Sequence, residues 1–304
     1  MTTSSIAKPM KALAERVVAH APAGAEFATS IPGLSLSRFD APTQPSGYLL
    51  EPSVCVVLQG SKCVLVGDEE HTYEAGQFFV TAIDLPLIAR IERASPSAPY
   101  VGLVLRIDKA QVARLVLEGE LPAAPRQRPL GVIELGVLSV PVFRAAERLV
   151  DLILSEPENA RMLGPLIEQE LLFRLLSTEC GPKLQELAGG RTRQIAQAIE
   201  WIKRNLTKRL RVDEISARAA MSASSFHHHF RSLTGSSPVQ FQKRLRLNEA
   251  RRLMFVEHSD AATAALAVGY ESASQFSREY SRLFGAPPMR DMKRLNAIDP
   301  APPS

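Results

Sequence analysis

The segment SSFHHHF at residues 224–230 brings three consecutive histidines together, and histidine can bind a metal, transfer a proton or contact DNA. If the segment is helical, successive side chains point about 100° apart, so the three imidazoles cannot converge on one ion as an i, i+4 pair would. We therefore predict no metal site here. His227 and His228 would face away from the apolar side of the helix, where they contact a partner molecule or are merely solvated, whereas His229 would pack near that apolar side.

Outside this segment the chain offers little for catalysis. The region from residue 27 to residue 180 contains a single histidine, His71, whereas a metal-dependent barrel enzyme needs several histidines with a carboxylate. The chain also has no GxSxG elbow, phosphate-binding loop or dinucleotide fingerprint. The three cysteines, Cys55, Cys63 and Cys180, are too few for a disulfide framework or a zinc cluster. We predict that the protein is not an enzyme and needs no metal or cofactor.

An internal repeat indicates which elements would position the histidines. SASSFHHHFRSLTGSSP, residues 222–238, aligns with SASQFSREYSRLFGAPP, residues 272–288, at an offset of 50 residues. In each copy a short helix and a turn precede a second helix, which begins at a serine cap and ends at a glycine. Two such units in register are typical of paired helix-turn-helix motifs, whose second helix can enter the major groove of DNA. The segment between the copies predicts a linker helix.

Helical periodicity selects side chains on the exposed face of each second helix. In the first copy these are Ser224, His227, His228 and Arg231, and in the second copy they are Ser274, Gln275, Ser277 and Arg278. Arginine can form a bidentate pair with guanine, so we expect Arg278 to read a base; a phosphate contact or a surface ion pair is the alternative. The basic run at residues 243–246 would combine phosphate contacts with residues that cover the linker helix.

Charge divides the chain into two parts. Residues 1–190 hold 17 Lys and Arg against 22 Asp and Glu, whereas residues 191–296 hold 19 against 9, a net charge of +10. A basic part of this kind attracts polyanions, of which nucleic acid is the commonest, although a basic surface can also serve solubility alone. No apolar run approaches the roughly 20 residues that span a membrane, and the N-terminus lacks a secretory signal. We therefore expect a cytoplasmic protein.

The acidic part begins with strand patterns. Between Pro52 and Ile107, short runs rich in Val, Ile, Phe and Tyr are separated by turn residues, which predicts antiparallel strands in a small barrel or sandwich. Leucines at helical spacing then predict helices at residues 141–156 and 162–178. Either one of these helices forms a dimer interface or both simply close the barrel. The apolar sequence LIEQELLFRLL is compatible with both possibilities.

A barrel of this size has room for a small molecule. Four aromatic residues could line its interior, although core packing is the commoner role for such side chains: Tyr48, Tyr73, Phe79 and Tyr100. Cys55 and Cys63 would by default be inert buried thiols, and the sensing of oxidants or electrophiles is the alternative.

The two halves together resemble the AraC/XylS transcriptional regulators. Residues 193–295, with RLRLNEARRLM in the linker helix and VGYESASQFSREYSRLFGAPP in the second motif, look like the DNA-binding domain of that family. Residues 27–180, with PSVCVVLQGSK and GQFFVTAIDLP, are similar to the cupin-like sensing domain of one subfamily. The resemblance implies a bacterial regulator in which a ligand-responsive N-terminal domain controls promoter binding, and it supports a role for Arg278 in base recognition.

These observations predict an α+β fold, with an N-terminal cupin-like β-barrel and a C-terminal all-α domain. We expect an N-terminal extension (1–26), an effector and oligomerisation domain (27–185), a double helix-turn-helix domain (191–296) and a disordered tail (297–304). Candidate partners are double-stranded promoter DNA, an unidentified small-molecule effector, a second copy of the chain and RNA polymerase. Two alternatives stay open: a cupin-type enzyme or sugar-binding module with a basic scaffold, and a regulator whose barrel serves only oligomerisation.

Overall fold

The computed structural model describes residues 5–118 and 130–298, and the chain divides into two units. The first unit comprises residues 1–44, 50–85 and 89–193, and the second comprises residues 45–49, 86–88 and 194–304. The change of charge and periodicity indicates a boundary near residue 190, but no sequence signal shows that two short internal pieces group with the C-terminal unit. Every helix in the described ranges is too short or too polar to cross a lipid bilayer.

Two sheets form the strand-rich half of the chain. In the six-stranded sheet the order is β1 (Ala25–Ala28), β2 (Leu34–Phe39), β9 (Tyr100–Arg106), β4 (Ser53–Gln59), β7 (Gln77–Val80) and β10 (Glu134–Val137). In the four-stranded sheet the order is β3 (Ser46–Leu50), β8 (Leu85–Arg93), β5 (Ser61–Val66) and β6 (Glu69–Glu74). Strand β4 pairs antiparallel with both of its neighbours, and β5 and β6 form an antiparallel hairpin, as the short punctuated runs predict.

Strand β4 is buried on both faces. Val54 and Val56 belong to the core that the helices share, whereas the alternate residue Cys55 points to the opposite face. On the sheet-to-sheet side, the ring of Tyr73 in β6 meets that of Phe79 in β7 edge to face at 5.1 Å, so the two sheets pack together there. A strand that is covered on both faces has apolar residues at every position, which explains why VCVVL does not alternate between apolar and polar residues.

Helices pack against the six-stranded sheet. They are α1 (Ala7–His20), α2 (Lys109–Glu118), α3 (Val140–Ser155), α4 (Ala160–Leu176) and α5 (Gly181–Gln185). Leu149 of α3 and Leu171 of α4 are completely buried, and each such side chain contributes about 1.5–3 kcal/mol. The segment expected as an N-terminal extension contains α1, whose Leu13 and Val17 join the same core. This part of the expected extension is therefore integral to the first unit.

All regular secondary structure in the described residues from 190 onwards is helical. The helices are α6 (Gly190–Arg204), α7 (Val212–Arg218), α8 (Ala223–Thr234), α9 (Pro238–Val256), α10 (Ala261–Ala267), α11 (Ala273–Phe284) and α12 (Pro288–Ile298). The pairs α7–α8 and α10–α11 are the two helix-turn-helix motifs, and α9 joins them, which confirms the α+β fold class. The tail predicted as disordered at residues 297–304 lies outside the described residues, except that α12 continues to Ile298.

Local signals determine where the key helices begin. The hydroxyls of Ser222 and Ser272 cap α8 and α11 by accepting the backbone N–H three residues further on. Ser237 and Gln240 form a reciprocal capping box at the start of α9, with Pro238 at the first helical position. Each cap contributes about 1 kcal/mol. The sequence pattern predicts the serine caps, whereas the role of Gln240 emerges only from the structure.

The turn of each motif contains one residue with left-handed backbone. This residue is Ala220, with φ 51°, in the first motif and Gly269, with φ 86°, at the equivalent place in the second. A Cβ atom on Gly269 would lie 2.7 Å from the carbonyl oxygen of Thr207 and 2.8 Å from its Cα. The second turn therefore requires glycine for its φ and for a close backbone approach, whereas the first holds an alanine in an unfavourable conformation.

Candidate DNA-binding surface

Helix α8 is anchored by its phenylalanines. Phe226 and Phe230 are fully buried with their ring centroids 5.4 Å apart, and Phe230 meets Phe241 of α9 edge to face at 5.3 Å. Burial of this side turns the opposite side of the helix to solvent. The four residues of this helix predicted to contact DNA are all exposed on that side: Ser224, His227, His228 and Arg231. Together with Ser232 they line one surface depression of about 600 Å³.

The three histidines separate as helical geometry requires. His227 and His228 are exposed, whereas His229 is half-buried with its ring 5.4 Å from that of His228. Within residues 5–118 and 130–298, no group of three His, Cys, Asp or Glu side chains could hold a metal ion. The outer side of α8 thus offers imidazole and guanidinium groups, whose donors and acceptors suit base edges and phosphates.

Helix α11 repeats this arrangement. Phe276 and Tyr280 are buried with ring centroids 5.4 Å apart, and they anchor the helix to its own motif. Among the residues of this helix predicted to contact DNA, Ser277 is half-buried. The other three are exposed: Ser274, Gln275 and Arg278. Across the described part of the chain the guanidinium of Arg278 has no hydrogen-bond or ion-pair partner. It can therefore form a bidentate contact with a base.

A carboxylate that the sequence did not single out lies beside this surface. Glu279 accepts hydrogen bonds from Gln275 Nε2 at 3.1 Å, from Lys243 Nζ at 2.8 Å and from the hydroxyl of Tyr270 at 2.8 Å. Lys243, which belongs to the basic run expected to contact phosphate, is thus already paired within the protein. Only the four-residue spacing between Gln275 and Glu279 could have indicated part of this cluster from the sequence.

Another member of the basic run, residues 243–246, has a structural role. Arg246 donates to three backbone carbonyls, those of Leu206 at 2.7 Å, Lys208 at 3.0 Å and Gly269 at 3.1 Å. Burial lowers the pKa of Arg246 from its ordinary value. Its guanidinium connects the segment after α6 and the turn of the second motif to α9, so this arginine holds the second helix-turn-helix motif in place.

A buried ion pair joins α9 to α12 next to the second motif. Arg251 Nε and Nη2 donate to the Asp291 carboxylate at 2.8 and 3.0 Å, and both side chains are under 10% exposed, at 5% and 7%. The Tyr280 hydroxyl donates to Asp291 at 2.7 Å, and the Arg251 guanidinium lies 4.5 Å from the ring centroid of Phe284. Burial, and then the hydrogen bond to Asp291, raise the pKa of Tyr280 above its ordinary value.

The aromatic residues predicted as ligand contacts occupy mainly core positions. Tyr73, Phe79 and Tyr100 are at most 2% exposed, and Tyr48 is half-buried. A cavity of about 670 Å³ lies elsewhere in the first unit, and none of the four lines it. That these residues bind a ligand stays a prediction, and ring packing between the sheets accounts for the positions of Tyr73 and Phe79.

Cys55 in β4 and Cys63 in β5 have the chemistry of buried thiols. Burial raises the pKa of Cys55 to about 12, and burial is also the main cause that raises the pKa of Cys63. The thiolate is the reactive form of cysteine, so both groups are poorly reactive at neutral pH. This chemistry favours the inert role over the sensing of oxidants or electrophiles.

Comparison with known families assigns both halves of the chain. Residues 30–183 match the family described as "AraC-type transcriptional regulator N-terminus". Residues 215–294 match the family described as "Helix-turn-helix domain", and this range begins within α7 and includes the rest of both motifs described above. The first match alone spans half of the chain.

Individual relatives agree with these matches. The probable transcriptional regulator LumQ of Photobacterium leiognathi is 33% identical over 90 residues, which is 30% of this chain and 36% of LumQ. The HTH-type transcriptional regulator ArgR of Pseudomonas aeruginosa is 25% identical over 141 residues, 46% of this chain and 43% of ArgR. The chain thus spans less than half the length of these two relatives. Among solved structures, ToxT from Vibrio cholerae shares the fold with a TM-score of 0.55 at 10% identity, over 86% of this chain and 98% of ToxT.

Proposed function

Because the chain belongs to the AraC-type transcriptional regulators, we propose that it binds double-stranded DNA through α8 and α11 and thereby regulates transcription. The observation that carries this proposal is the repeated surface: two second helices, each anchored by buried aromatic rings, with all of the predicted polar side chains exposed except the half-buried Ser277. The enzyme alternative loses support, because the relatives named above are transcriptional regulators.

The linker helix supports simultaneous use of both motifs. Helix α9 has 19 residues, which at about 1.5 Å per residue make a rod of roughly 28 Å. Successive major-groove windows on one face of DNA are about 34 Å apart. A rod of this length is compatible with placing α8 and α11 in consecutive grooves of one duplex. Contact with RNA polymerase stays a prediction without an assigned surface.

Replacing Arg278 with alanine tests the proposal most directly. We expect the full chain to lose about 1–3 kcal/mol of discrimination at one base pair, because the guanidinium would no longer bond guanine O6 and N7. The measurement is a competition assay on duplexes enriched from a random pool, each substituted at one base pair.

Arg282→Ala is the matched control for this substitution. Arg282 is also an exposed arginine of α11, one turn further from the N-terminal end that reads bases. This variant should weaken binding by a similar amount for every sequence. If Arg278→Ala also weakens all duplexes equally, Arg278 contacts the backbone and does not read a base.

A small-molecule effector would fit the cavity of the first unit. Its volume of about 670 Å³ falls within the roughly 300–1,000 Å³ usual for ligand sites. Leu135, Val137 and Phe173 line it and are 39%, 54% and 46% exposed, so the cavity offers apolar surface that a ligand could cover. Ser139 and Arg174 in the same lining supply polar groups that could orient such a ligand.

Filling the cavity tests this assignment. A thermal-shift screen of the full chain with small molecules should identify stabilising compounds, and Val137→Trp should abolish their effect while DNA binding without effector is retained. A compound that stabilises the variant as strongly as the parent binds elsewhere. If no compound stabilises the parent, the alternative of a barrel that serves only oligomerisation is favoured.

A homodimer is proposed on the exposed side of α4. Met162, Leu166 and Phe173 are 78%, 63% and 46% exposed, and helical geometry places them within about 40° of one another. Leu166→Glu should shift the chain towards monomer and raise its dimer dissociation constant at least about tenfold, because a charge would be buried in an apolar contact. Sedimentation is the measurement, and Leu117→Glu, an exposed leucine of α2, is the control. A parent chain that is monomeric at micromolar concentration contradicts the proposal.

A further inference from the structure

The carboxylate of Glu279 is bound on both of its oxygens by groups from three elements. Oε1 accepts from Gln275 at 3.1 Å and from Lys243 of α9 at 2.8 Å, whereas Oε2 accepts from the Tyr270 hydroxyl at 2.8 Å. The Glu279 side chain is 18% exposed, while Gln275, one helical turn earlier, is exposed. The carboxylate therefore lies beneath an amide that a DNA partner could reach.

The charge state of Glu279 determines how the Gln275 amide is oriented. Burial alone would raise the pKa of Glu279, but hydrogen bonds from Lys243, Gln275 and Tyr270 outweigh it and hold the pKa below its ordinary value. Glu279 is thus a carboxylate at neutral pH, and a carboxylate can only accept hydrogen bonds. The NH₂ group of Gln275 must face it, which turns the amide carbonyl away.

This orientation leaves a defined pair of groups on the exposed side. An amide NH₂ has two hydrogens, and Nε2 of Gln275 donates one of them to Glu279. If that hydrogen is the one that points back along the side chain, the carbonyl oxygen and the second N–H lie side by side. That pair matches adenine, whose N6 amino group donates and whose N7 accepts in the major groove.

We propose that Glu279 is a positioning residue for base recognition, and that it presets the Gln275 amide to read adenine. This inference rests on the proposed DNA-binding function of α11. Gln275 lies in the first turn of α11, and the N-terminal residues of a recognition helix are those that contact base edges. A side chain that is already oriented loses less conformational freedom on binding than a free one.

Lys243 and Tyr270 explain how a carboxylate can lie so close to a DNA-binding surface. The Lys243 ammonium offsets the charge of Glu279, so the approaching phosphates meet no uncompensated negative group. The Tyr270 hydroxyl, on a side chain that is 6% exposed, holds the second carboxylate oxygen in place. Positioning of Gln275 is thus shared between the linker helix and the turn of the second motif.

The test measures base preference with the full chain. The probes are duplexes that the parent chain enriches from a random pool, each with all four bases tested at every position. At one A·T pair the parent should prefer adenine by about tenfold or more. Glu279→Ala should reduce this preference to about twofold or less, and so should Gln275→Ala. In the Gln275→Ala background, Glu279→Ala should cause no further loss, since the two residues act as one unit.

Glu271→Ala is the matched control, because it removes an equal charge from an exposed position next to the same helix. It should raise affinity for all duplexes slightly and leave the adenine preference intact. Unchanged circular dichroism and Trp201 fluorescence would verify folding of each variant, and the exposed Gln275→Ala variant keeps the test valid if Glu279→Ala unfolds.

Two results would overturn the inference in distinguishable ways. If Gln275→Ala or Glu279→Ala lowers affinity equally for every base at every position, Glu279 has only a structural role, and DNA recognition by the remaining residues stands. If the parent chain enriches no duplex, the proposed DNA-binding function fails and the inference fails with it.

Discussion

Asp291→Ala is expected to lower the free energy of unfolding of the C-terminal unit by about 3–5 kcal/mol, because it leaves the Arg251 guanidinium buried without a counter-charge. The pair is 5% and 7% exposed, so water cannot replace the lost partner. The Tyr280 hydroxyl would lose its acceptor as well. Urea denaturation of the full chain, followed through Trp201, is the measurement, since the single tryptophan lies in α6 and reports on that unit.

Two further substitutions calibrate this effect. Tyr280→Phe removes only the hydroxyl, so we expect a loss of about 1 kcal/mol. Glu249→Ala breaks a pair with Arg252 that is 38% and 47% exposed, so we expect a much smaller loss than for Asp291→Ala. If Asp291→Ala costs no more than Glu249→Ala, the Arg251 pair is effectively solvated and the buried network does not stabilise the second motif.

Gly269→Ala should have the second largest effect, with a loss of about 2–5 kcal/mol. The backbone at φ 86° is unfavourable for any residue with a Cβ atom. The added Cβ would in addition meet the carbonyl oxygen of Thr207 at 2.7 Å, and this neighbour is backbone, which cannot rotate away. The displaced turn would also disturb the hydrogen bond that Arg246 donates to the Gly269 carbonyl. Trp201 fluorescence during urea denaturation is again the measurement.

The equivalent position of the first motif provides a control of opposite sign. Ala220 already has φ 51°, so Ala220→Gly relieves strain and should raise the free energy of unfolding by up to about 1 kcal/mol, after the larger chain entropy of glycine is included. If both substitutions change the free energy of unfolding by similarly small amounts, only the backbone φ matters and the contact with Thr207 does not.

The sequence by itself determined the repeated helix-turn-helix elements and the exposed side of each second helix. Apolar residues at helical spacing and serine caps are local signals, and rotation by about 100° per residue then places side chains around a helix. For this reason the exposure of His228 and Arg278 could be predicted without knowledge of any neighbouring helix. The strand-rich character of the first half followed in the same way from short punctuated runs.

Strand order and the fate of the aromatic residues could not be predicted in this way. Strand β4 lies between β9 and β7, neither of which is its neighbour in the chain, so its position depends on pairing between separate segments. An aromatic side chain has the same local pattern in a ligand site and in a core, so the sequence left both roles open for Tyr73 and Phe79, and only the structure shows that their rings pack together.

Only the tertiary structure decided which charged groups have partners inside the protein. Arg251 meets Asp291, which is 40 residues away, and Lys243 meets Glu279, which is 36 residues away. Arg278, a similar cation in the sequence, has no partner in the described ranges. The physical reason is that periodicity fixes the direction of a side chain on its own helix, whereas the group that it meets depends on how two helices pack.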